Sequence, residues 1–250
     1  MFLALDIGNS DTKAGLHDGA GWVRTTRFPT PRGGAAALQA WAEGARVDGA
    51  GLASVVPART AAWAEAVRGG LGVTAEVVHV GRPLPFRLAY ETPETLGADR
   101  LAAAAAAWHR FGHDEQGRPR PVVALDAGTA VTTEVITGEG VYLGGAIAPG
   151  APLLQRALST QTAQLPAVDW PEAPSPIGAS TRSAIQGGLG VLFLDGVRGL
   201  LVRTAGALGA RPFVVATGGW AGWLAERLDG VDAVEPHLVL DGVRLLTAPR

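Results

Sequence analysis

Short apolar runs alternate with polar turns and with segments of helical composition along the whole chain. Three strand-like runs open it, at 2 to 6, 12 to 17 and 21 to 28. Their short Gly/Asp connections predict an antiparallel meander. Helical segments and strands then alternate, at 34 to 46, 51 to 56, 58 to 70 and 75 to 80. This alternation predicts a largely parallel sheet beyond the meander.

The same order of elements recurs in the second half of the chain. A helix predicted over 99 to 111 is followed by a polar stretch with Gly and Pro at 112 to 121, which indicates a domain boundary. We therefore predict two halves, 1–115 and 116–250. The elements predicted beyond the boundary are strands at 122 to 126, 131 to 137, 140 to 147 and 212 to 216, and helices at 151 to 158, 182 to 204 and 220 to 228.

Both halves open with the same polar turn, in which an apolar run ends in Asp, then Gly, then hydroxyl residues. The matched positions, each 120 residues apart, are Asp6 and Asp126, Gly8 and Gly128, and Thr12 and Thr132. Backbone N–H groups and hydroxyls at such a turn form an anion-binding concavity, and the carboxylates would hold Mg²⁺ through water. Either copy alone is an ordinary turn sequence. The matched pair favours two phosphate-binding turns.

Composition narrows the class of protein. Of the 250 residues, 47% are apolar and 18% charged, which is typical of a folded chain. The 21 basic and 23 acidic residues nearly cancel, so we expect neither nucleic acid nor an anionic membrane as the main partner. Cysteine is absent, which excludes thiolate chemistry and fits a reducing cytoplasm. We also expect no membrane span, because no apolar run reaches about 20 residues.

Lys13 is the only lysine in a chain whose other cations are arginines. Its place beside the first polar turn indicates a compact point charge for a phosphate. The alternative is an exposed lysine without a role.

Motifs along nearly the whole chain resemble those of the type III pantothenate kinases, within the actin, hexokinase and Hsp70 type of ATP fold. They are Asp6 to Lys13, Ser54-Val55-Val56-Pro57, Gly97-Ala98-Asp99-Arg100, Asp126 to Ala130, Gly144 to Gly150, Thr181 with the residues after it, and Thr217-Gly218-Gly219. Their common order and spacing carry the resemblance. It implies an α/β fold of duplicated actin/ribonuclease-H-like domains, each a mixed five-stranded sheet flanked by helices, with ATP in the interdomain cleft.

The resemblance also implies an activity, the ATP-dependent phosphorylation of pantothenate at the start of coenzyme A synthesis. The implied first phosphate turn comprises Asp6, Ile7, Gly8, Asn9, Ser10, Asp11, Thr12 and Lys13. Thr129 is implied to contact ATP phosphate, and Asp126 to bind a monovalent cation, K⁺ or NH₄⁺, while Mg²⁺ accompanies the ATP. The family is dimeric, which implies a homodimer here.

The residues implied to bind pantothenate are Tyr90, Gly97, Ala98, Asp99, Arg100 and Thr181. Asp99 is implied to be the catalytic base, and a carboxylate near the attacking hydroxyl suits phosphoryl transfer. Each role has an alternative. Asp99 could merely complement a helix dipole, Arg100 could face solvent, and Thr181 could be an N-cap.

The sequence also departs from the family pattern at four positions. They are Ser10 and Val131 where Thr is common, Glu134 where Asp is common, and Ala179 where a cation is frequent. These changes put substrate affinity in question. Two other functions stay open: a kinase-derived regulator without activity, and a kinase of the same fold that acts on a sugar or acetate.

Two further sets of residues are expected to have structural roles. His109 and His113 have the i, i+4 spacing of a metal pair, but the Gly between them predicts a solvated helix end. The seven tryptophans are scattered, mostly in predicted helices such as those at Trp41, Trp63, Trp108 and Trp223. We expect them to anchor the core or an interface.

Overall fold

The computed structural model describes residues 1–30 and 34–249, which form two compact units. The first unit contains residues 1–110 and the segment from His237 onward, and the second contains 111–236. The C-terminal segment therefore packs with the first unit. The sequence-based halves, 1–115 and 116–250, stay a prediction about the duplicated ancestral unit.

The secondary structure alternates strands and helices along both units. The strands are β1 (Phe2–Ile7), β2 (Asp11–His17), β3 (Trp22–Pro29), β4 (Gly49–Ser54), β5 (Ala75–Val77), β6 (Arg87–Leu88), β7 (Val122–Ala127), β8 (Ala130–Ile136), β9 (Val141–Gly144), β10 (Ile147–Pro149), β11 (Phe213–Thr217) and β12 (Ala233–Val234). The helices are α1 (Ala35–Trp41), α2 (Pro57–Leu71), α3 (Ala98–Phe111), α4 (Ala151–Gln161), α5 (Thr181–Leu208), α6 (Ala221–Ala225) and α7 (Leu238–Thr247), with a 3₁₀ turn at Pro93–Thr95.

The two units share one strand order. In the first unit the order is β3-β2-β1-β4-β5, with an antiparallel meander followed by two strands parallel to β1. In the second unit β9, β8 and β7 form the meander, and β11 and β12 continue parallel to β7. Strand β10 is an addition that pairs with β8. The predicted α/β fold of duplicated mixed sheets is thus confirmed, although the sheet that contains β7 has seven strands rather than the expected five.

The opening hairpins of the two units differ by one residue in length. In the first, Asp6 pairs across the strands with Lys13, whereas in the second Asp126 pairs with Thr132. Equivalent residues of the two units are therefore 120 positions apart up to the glycine and 119 positions apart after the turn. The proposed match of Thr12 with Thr132 is wrong in register, because Thr132 occupies the place of Lys13.

Several element boundaries also differ from the prediction. The strand expected over 140 to 147 is divided into β9 and β10, with Gly144 in the left-handed region at φ 102°. Helix α6 covers only 5 residues of the predicted 220 to 228. No element was predicted after 228, yet α7 forms there and buries Leu238, Val239, Leu240, Val243 and Leu246.

Helix α5 is 28 residues long and, by length and composition alone, could cross a membrane. This criterion uses length and composition only, so it does not contradict the expectation of no membrane span, which stays a prediction. In the structure, Phe193, Val197 and Leu201 of α5 pack in the hydrophobic core of the second unit. Buried core helices of this kind meet the same criterion.

Tryptophans anchor the core of each unit, as expected. Trp63 is 2% exposed and packs with Phe28 in the first unit. In the second unit, Trp170, Trp220 and Trp223 surround Phe193. Within residues 1–30 and 34–249, no group of three or more His, Asp or Glu side chains is arranged to hold a metal ion.

Candidate functional site

Asp6 and Lys13 face each other across the first hairpin. They are cross-strand partners on β1 and β2, so their side chains share one face of the sheet. Lys13 Nζ lies 3.4 Å from Asp6 Oδ2, and Asp6 is only 7% exposed. The only lysine of the chain is therefore paired with the carboxylate of the polar turn, and the alternative of an exposed lysine without a role does not describe it.

The residues of the turn between these strands differ in the exposure of their side chains. The Gly8 N–H donates to Asp11 O at 3.0 Å and closes the turn, and the side chains of Asn9 and Ser10 are exposed. Ile7 and Thr12, in contrast, are 0% exposed. Of the predicted phosphate-binding residues, these two could therefore contribute only backbone groups.

Asp99 lies in the first turn of α3, as predicted. Its Oδ1 accepts the Arg100 backbone N–H at 2.7 Å, which complements the helix terminus. Gly97 precedes the helix, and a Cβ there would lie 2.7 Å from Asp99 Oδ1. Glycine at 97 thus leaves room for the carboxylate.

The surroundings of Asp99 disfavour its charged form. Burial raises the pKa of the Asp99 carboxyl above its ordinary value, and the negative charge of Asp6 raises that pKa further. The Arg100 backbone hydrogen bond and the Arg100 charge act in the opposite direction. The structure thus places Asp99 within electrostatic reach of Asp6, and a carboxyl with a raised pKa is a more effective proton acceptor than an ordinary Asp.

Arg100 is 8% exposed, so the alternative that it faces solvent is wrong. Its Nη1 lies at the long hydrogen-bond distance of 3.5 Å from Tyr90 Oη, and its guanidinium carbon lies 6.0 Å from the Tyr90 ring centre. The predicted pantothenate residues Tyr90, Gly97, Ala98, Asp99 and Arg100 therefore lie together in the first unit.

The predicted residue Thr181 belongs to the second unit, where it is the exposed first residue of α5. It is not the N-cap. Ser180 caps the helix, accepting the Ser183 N–H at 3.2 Å, while the Ser183 hydroxyl accepts the Ser180 N–H at 3.0 Å. This reciprocal arrangement is a capping box, so the alternative role for Thr181 is wrong.

The second polar turn lies between β7 and β8. The Gly128 N–H donates to Ala130 O at 2.9 Å, and the Gly150 N–H donates to Thr129 O at 3.1 Å. The first hydrogen bond closes the turn, and the second connects the turn to Gly150, the residue that precedes α4. Asp126, at the end of β7, pairs with Thr132 on one side and with Thr217 of β11 on the other.

The Gly-Gly segment after β11 packs directly against Asp126. Gly218 has φ 91°, and a Cβ on it would lie 2.5 Å from Asp126 Oδ1. The preceding Thr217 is 1% exposed, and its hydroxyl has no hydrogen-bond partner among the residues that the structure describes. The partly buried Asp126 carboxylate and the unsatisfied Thr217 hydroxyl on the neighbouring strand offer oxygen atoms of the kind that hard cations bind.

Two of the departures from the family pattern lie inside the second unit. Val131 is 1% exposed and belongs to the core, so the hydroxyl it lacks would face apolar side chains. Glu134 is 1% exposed and accepts a hydrogen bond from Tyr142 Oη at 2.5 Å. The extra methylene of Glu thus reaches a buried partner. Sequence reasoning did not single out Tyr142.

The two duplicated sheets, each opening with an Asp-x-Gly turn, define a class of fold, the actin and hexokinase type. Three solved structures support the fold, and each alignment covers at least 89% of this chain and of the chain compared with it. They are a Baf family protein from Campylobacter jejuni (TM-score 0.62, 20% identity), the ethanolamine utilization protein EutJ from Carboxydothermus hydrogenoformans (0.53, 13%) and a ROK family glucokinase from Streptomyces griseus (0.51, 17%).

Sequence comparison identifies the family. A profile of the type III pantothenate kinases matches residues 2–203. Proteins with that name from Moorella thermoacetica and from Anaeromyxobacter sp. strain K are 33% and 35% identical over 256 aligned residues, with 98% of each chain covered. The chain belongs to the type III pantothenate kinase family, as the motifs predicted.

Proposed function

We propose that this protein transfers the γ-phosphoryl group of ATP to the terminal hydroxyl of pantothenate, forming 4'-phosphopantothenate at the start of coenzyme A synthesis. The observation that carries the proposal is the family match over residues 2–203, which includes Asp99 at the start of α3 and the first polar turn with its Asp6–Lys13 pair.

Asp99 acts as the general base. It accepts the proton of the pantothenate hydroxyl while the hydroxyl oxygen forms a bond to the γ-phosphorus and the bond to the ADP oxygen breaks. The raised pKa suits this role, because a carboxylate with a stronger affinity for protons assists proton removal more. The proton leaves Asp99 to solvent after the product departs.

The two polar turns bind the phosphates of ATP. In the first turn, backbone groups of 8–11 and the exposed Asn9 and Ser10 side chains are the contacts, and Lys13 supplies positive charge. In the second turn, Thr129 makes the contact. The backbone hydrogen bonds that close both turns support this role, because binding then requires little further ordering.

The residues present also fit two cations. Asp6 and Asp126 supply carboxylates that would hold Mg²⁺ through water. Asp126, with the unsatisfied Thr217 hydroxyl beside it, fits K⁺ or NH₄⁺. When bound, such cations offset the negative charge of the phosphates.

Pantothenate binds at Tyr90, Gly97, Ala98, Asp99, Arg100 and Thr181. Its carboxylate suits the buried Arg100 guanidinium, which can donate two parallel hydrogen bonds to a planar anion. The Tyr90 hydroxyl beside Arg100 provides a further polar contact.

The protein acts as a homodimer in the cytoplasm. An exposed face of α5 supports the dimer: Leu192 and Val202 on it are 60% and 65% exposed. Cβ atoms at the glycines of the same face, Gly188, Gly196 and Gly206, would meet nothing within 4 Å. Large exposed apolar side chains beside glycines form a surface on which a second helix can approach closely.

The experiment that tests the function is a coupled assay of ADP release. It compares pantothenate, glucose and acetate as acceptors, each with and without K⁺. We expect release only with pantothenate, and faster release with K⁺ present. Rates with glucose or acetate that match the rate with pantothenate would contradict the substrate. No release with any acceptor would favour the kinase-derived regulator.

A further inference from the structure

Thr30 lies outside every motif, at the end of β3, yet it makes three contacts with the first phosphate turn. Its backbone N–H donates to Ser10 O at 2.9 Å, and its hydroxyl donates to Gly8 O at 2.7 Å. The hydroxyls of Thr30 and Thr12 lie 3.0 Å apart. Thr30 is only 2% exposed, so water does not compete for these bonds.

The donors in this cluster can be assigned from the hydrogens available. A hydroxyl has one hydrogen, and Thr30 uses its hydrogen on the Gly8 carbonyl. The contact between the two threonines therefore needs the Thr12 hydroxyl as donor and Thr30 as acceptor. A directed chain runs from Thr12 through Thr30 to the Gly8 oxygen, and each bond in such a chain polarises the next.

These bonds fix the orientation of two peptide planes. In a trans peptide the C=O and the following N–H point in opposite directions. Because the carbonyls of Gly8 and Ser10 point toward Thr30, the N–H groups of Asn9 and Asp11 are turned away from it. The side chains of Asn9 and Ser10 in the same turn are exposed.

We infer that Thr30 is a positioning residue for ATP: it holds the Gly8–Ser10 turn in the conformation whose N–H groups bind phosphate. The inference rests on the proposed assignment of this turn to ATP. Thr30 itself is buried beneath the turn and acts through it. Its loss should therefore weaken nucleotide binding and leave the binding of the second substrate unchanged.

The test uses three variants, Thr30→Val, Thr30→Ser and Thr30→Ala. Val keeps the size and loses the hydroxyl. Ser and Ala both lose the methyl group and differ only in the hydroxyl, so they form a matched pair if Val destabilises the fold. We measure KM for ATP, KM for pantothenate, kcat, and the Kd for MgADP by calorimetry.

We expect Val and Ala to raise both the KM for ATP and the Kd for MgADP about tenfold, the equivalent of one buried hydrogen bond. Ser should stay within about twofold of the native protein, and KM for pantothenate should not change in any variant. Thr25→Val on the exposed part of β3 is the control for the substitution itself.

The inference is overturned if Ala binds MgADP as tightly as Ser, or if both substrates lose affinity equally. Either result leaves the proposed function intact, because that function depends on turnover of pantothenate by the native protein. Absence of turnover in the native protein, with tight MgADP binding that still depends on Thr30, would instead contradict the function alone.

Discussion

Among single residues, three charged side chains of the first unit act on one another. Asp6 is nearly buried and paired with Lys13, and its negative charge also acts on Asp99. Lys13 therefore limits the repulsion between the two carboxylates. The contact with an ATP phosphate proposed above would be its second electrostatic role.

The raised pKa of Asp99 predicts a pH-dependent effect on stability. The folded-state pKa lies above that of the unfolded chain, so the folded state loses stability as pH rises through the interval between these two values. Asp99→Asn removes this loss and keeps the Oδ1 acceptor for Arg100. We expect the variant to melt at a higher temperature than the native protein above that interval, and at the same temperature below it.

Thermal unfolding of both proteins from roughly pH 4 to pH 8 provides the measurement. A melting-temperature difference that does not change with pH would mean that the Asp99 carboxyl is not responsible. A variant less stable than the native protein at neutral pH would contradict the sign of the effect.

The contents of the candidate site were largely predictable from residue types. Asp6, Lys13, Asp99 and Arg100 stand in motifs, and their chemistry suits phosphate and carboxylate ligands. Thr30 was not predictable, because its role depends on hydrogen bonds to main-chain carbonyls across a hairpin. Such bonds leave no spacing signal in the sequence.

At the scale of elements, adjacent glycines after β11 offer a matched pair of substitutions. Gly218 has φ 91° and would place a Cβ against Asp126, whereas a Cβ on Gly219 would meet nothing within 4 Å. We expect Gly218→Ala to lower the free energy of unfolding by about 1 to 3 kcal/mol, from backbone strain and the clash. Gly219→Ala should change it by less than about 0.5 kcal/mol.

Urea unfolding of the two variants and the native protein provides these free energies. Equal effects of the two substitutions would show that the segment tolerates a side chain at either glycine. In that case the close packing of Gly218 on Asp126 would not constrain the second turn.

The order of the elements could be predicted, but their register could not. Apolar periodicity and turn residues locate most strands and helices. The one-residue difference between the two opening hairpins is hidden, because the sequence match of Thr12 with Thr132 favours a constant offset, whereas the strand pairing determines the register. The division of the strand at Gly144 depends likewise on local backbone geometry.

At the scale of the whole molecule, the sequence order does not determine which segments pack together. Helix α7 follows the second unit in the chain but belongs to the first, where it packs on β1 and β4. A Cβ on its Gly242 would lie 1.9 Å from Ala102 O of α3, so the two helices are in close contact. Such long-range pairing has no local pattern from which to predict it.

The proposed homodimer gives a prediction at the same scale. Light scattering should give a mass of twice the 25.6 kDa chain. Leu192→Arg, which places a charge on the exposed face of α5, should reduce the mass to that of one chain. Val23→Arg changes an exposed apolar residue of the first unit and is the control. A native protein that elutes with the mass of a single chain would contradict the dimer.

Asp99 is proposed above as the base in the phosphorylation of pantothenate by ATP. The most direct measurement is the initial rate at which 4'-phosphopantothenate forms, detected by mass spectrometry, in the native protein and in Asp99→Asn at saturating substrates. We predict steady product formation by the native protein and a rate at least about 100-fold lower in the variant, with MgADP binding unchanged. Product formation by the variant at close to the native rate would contradict the claim.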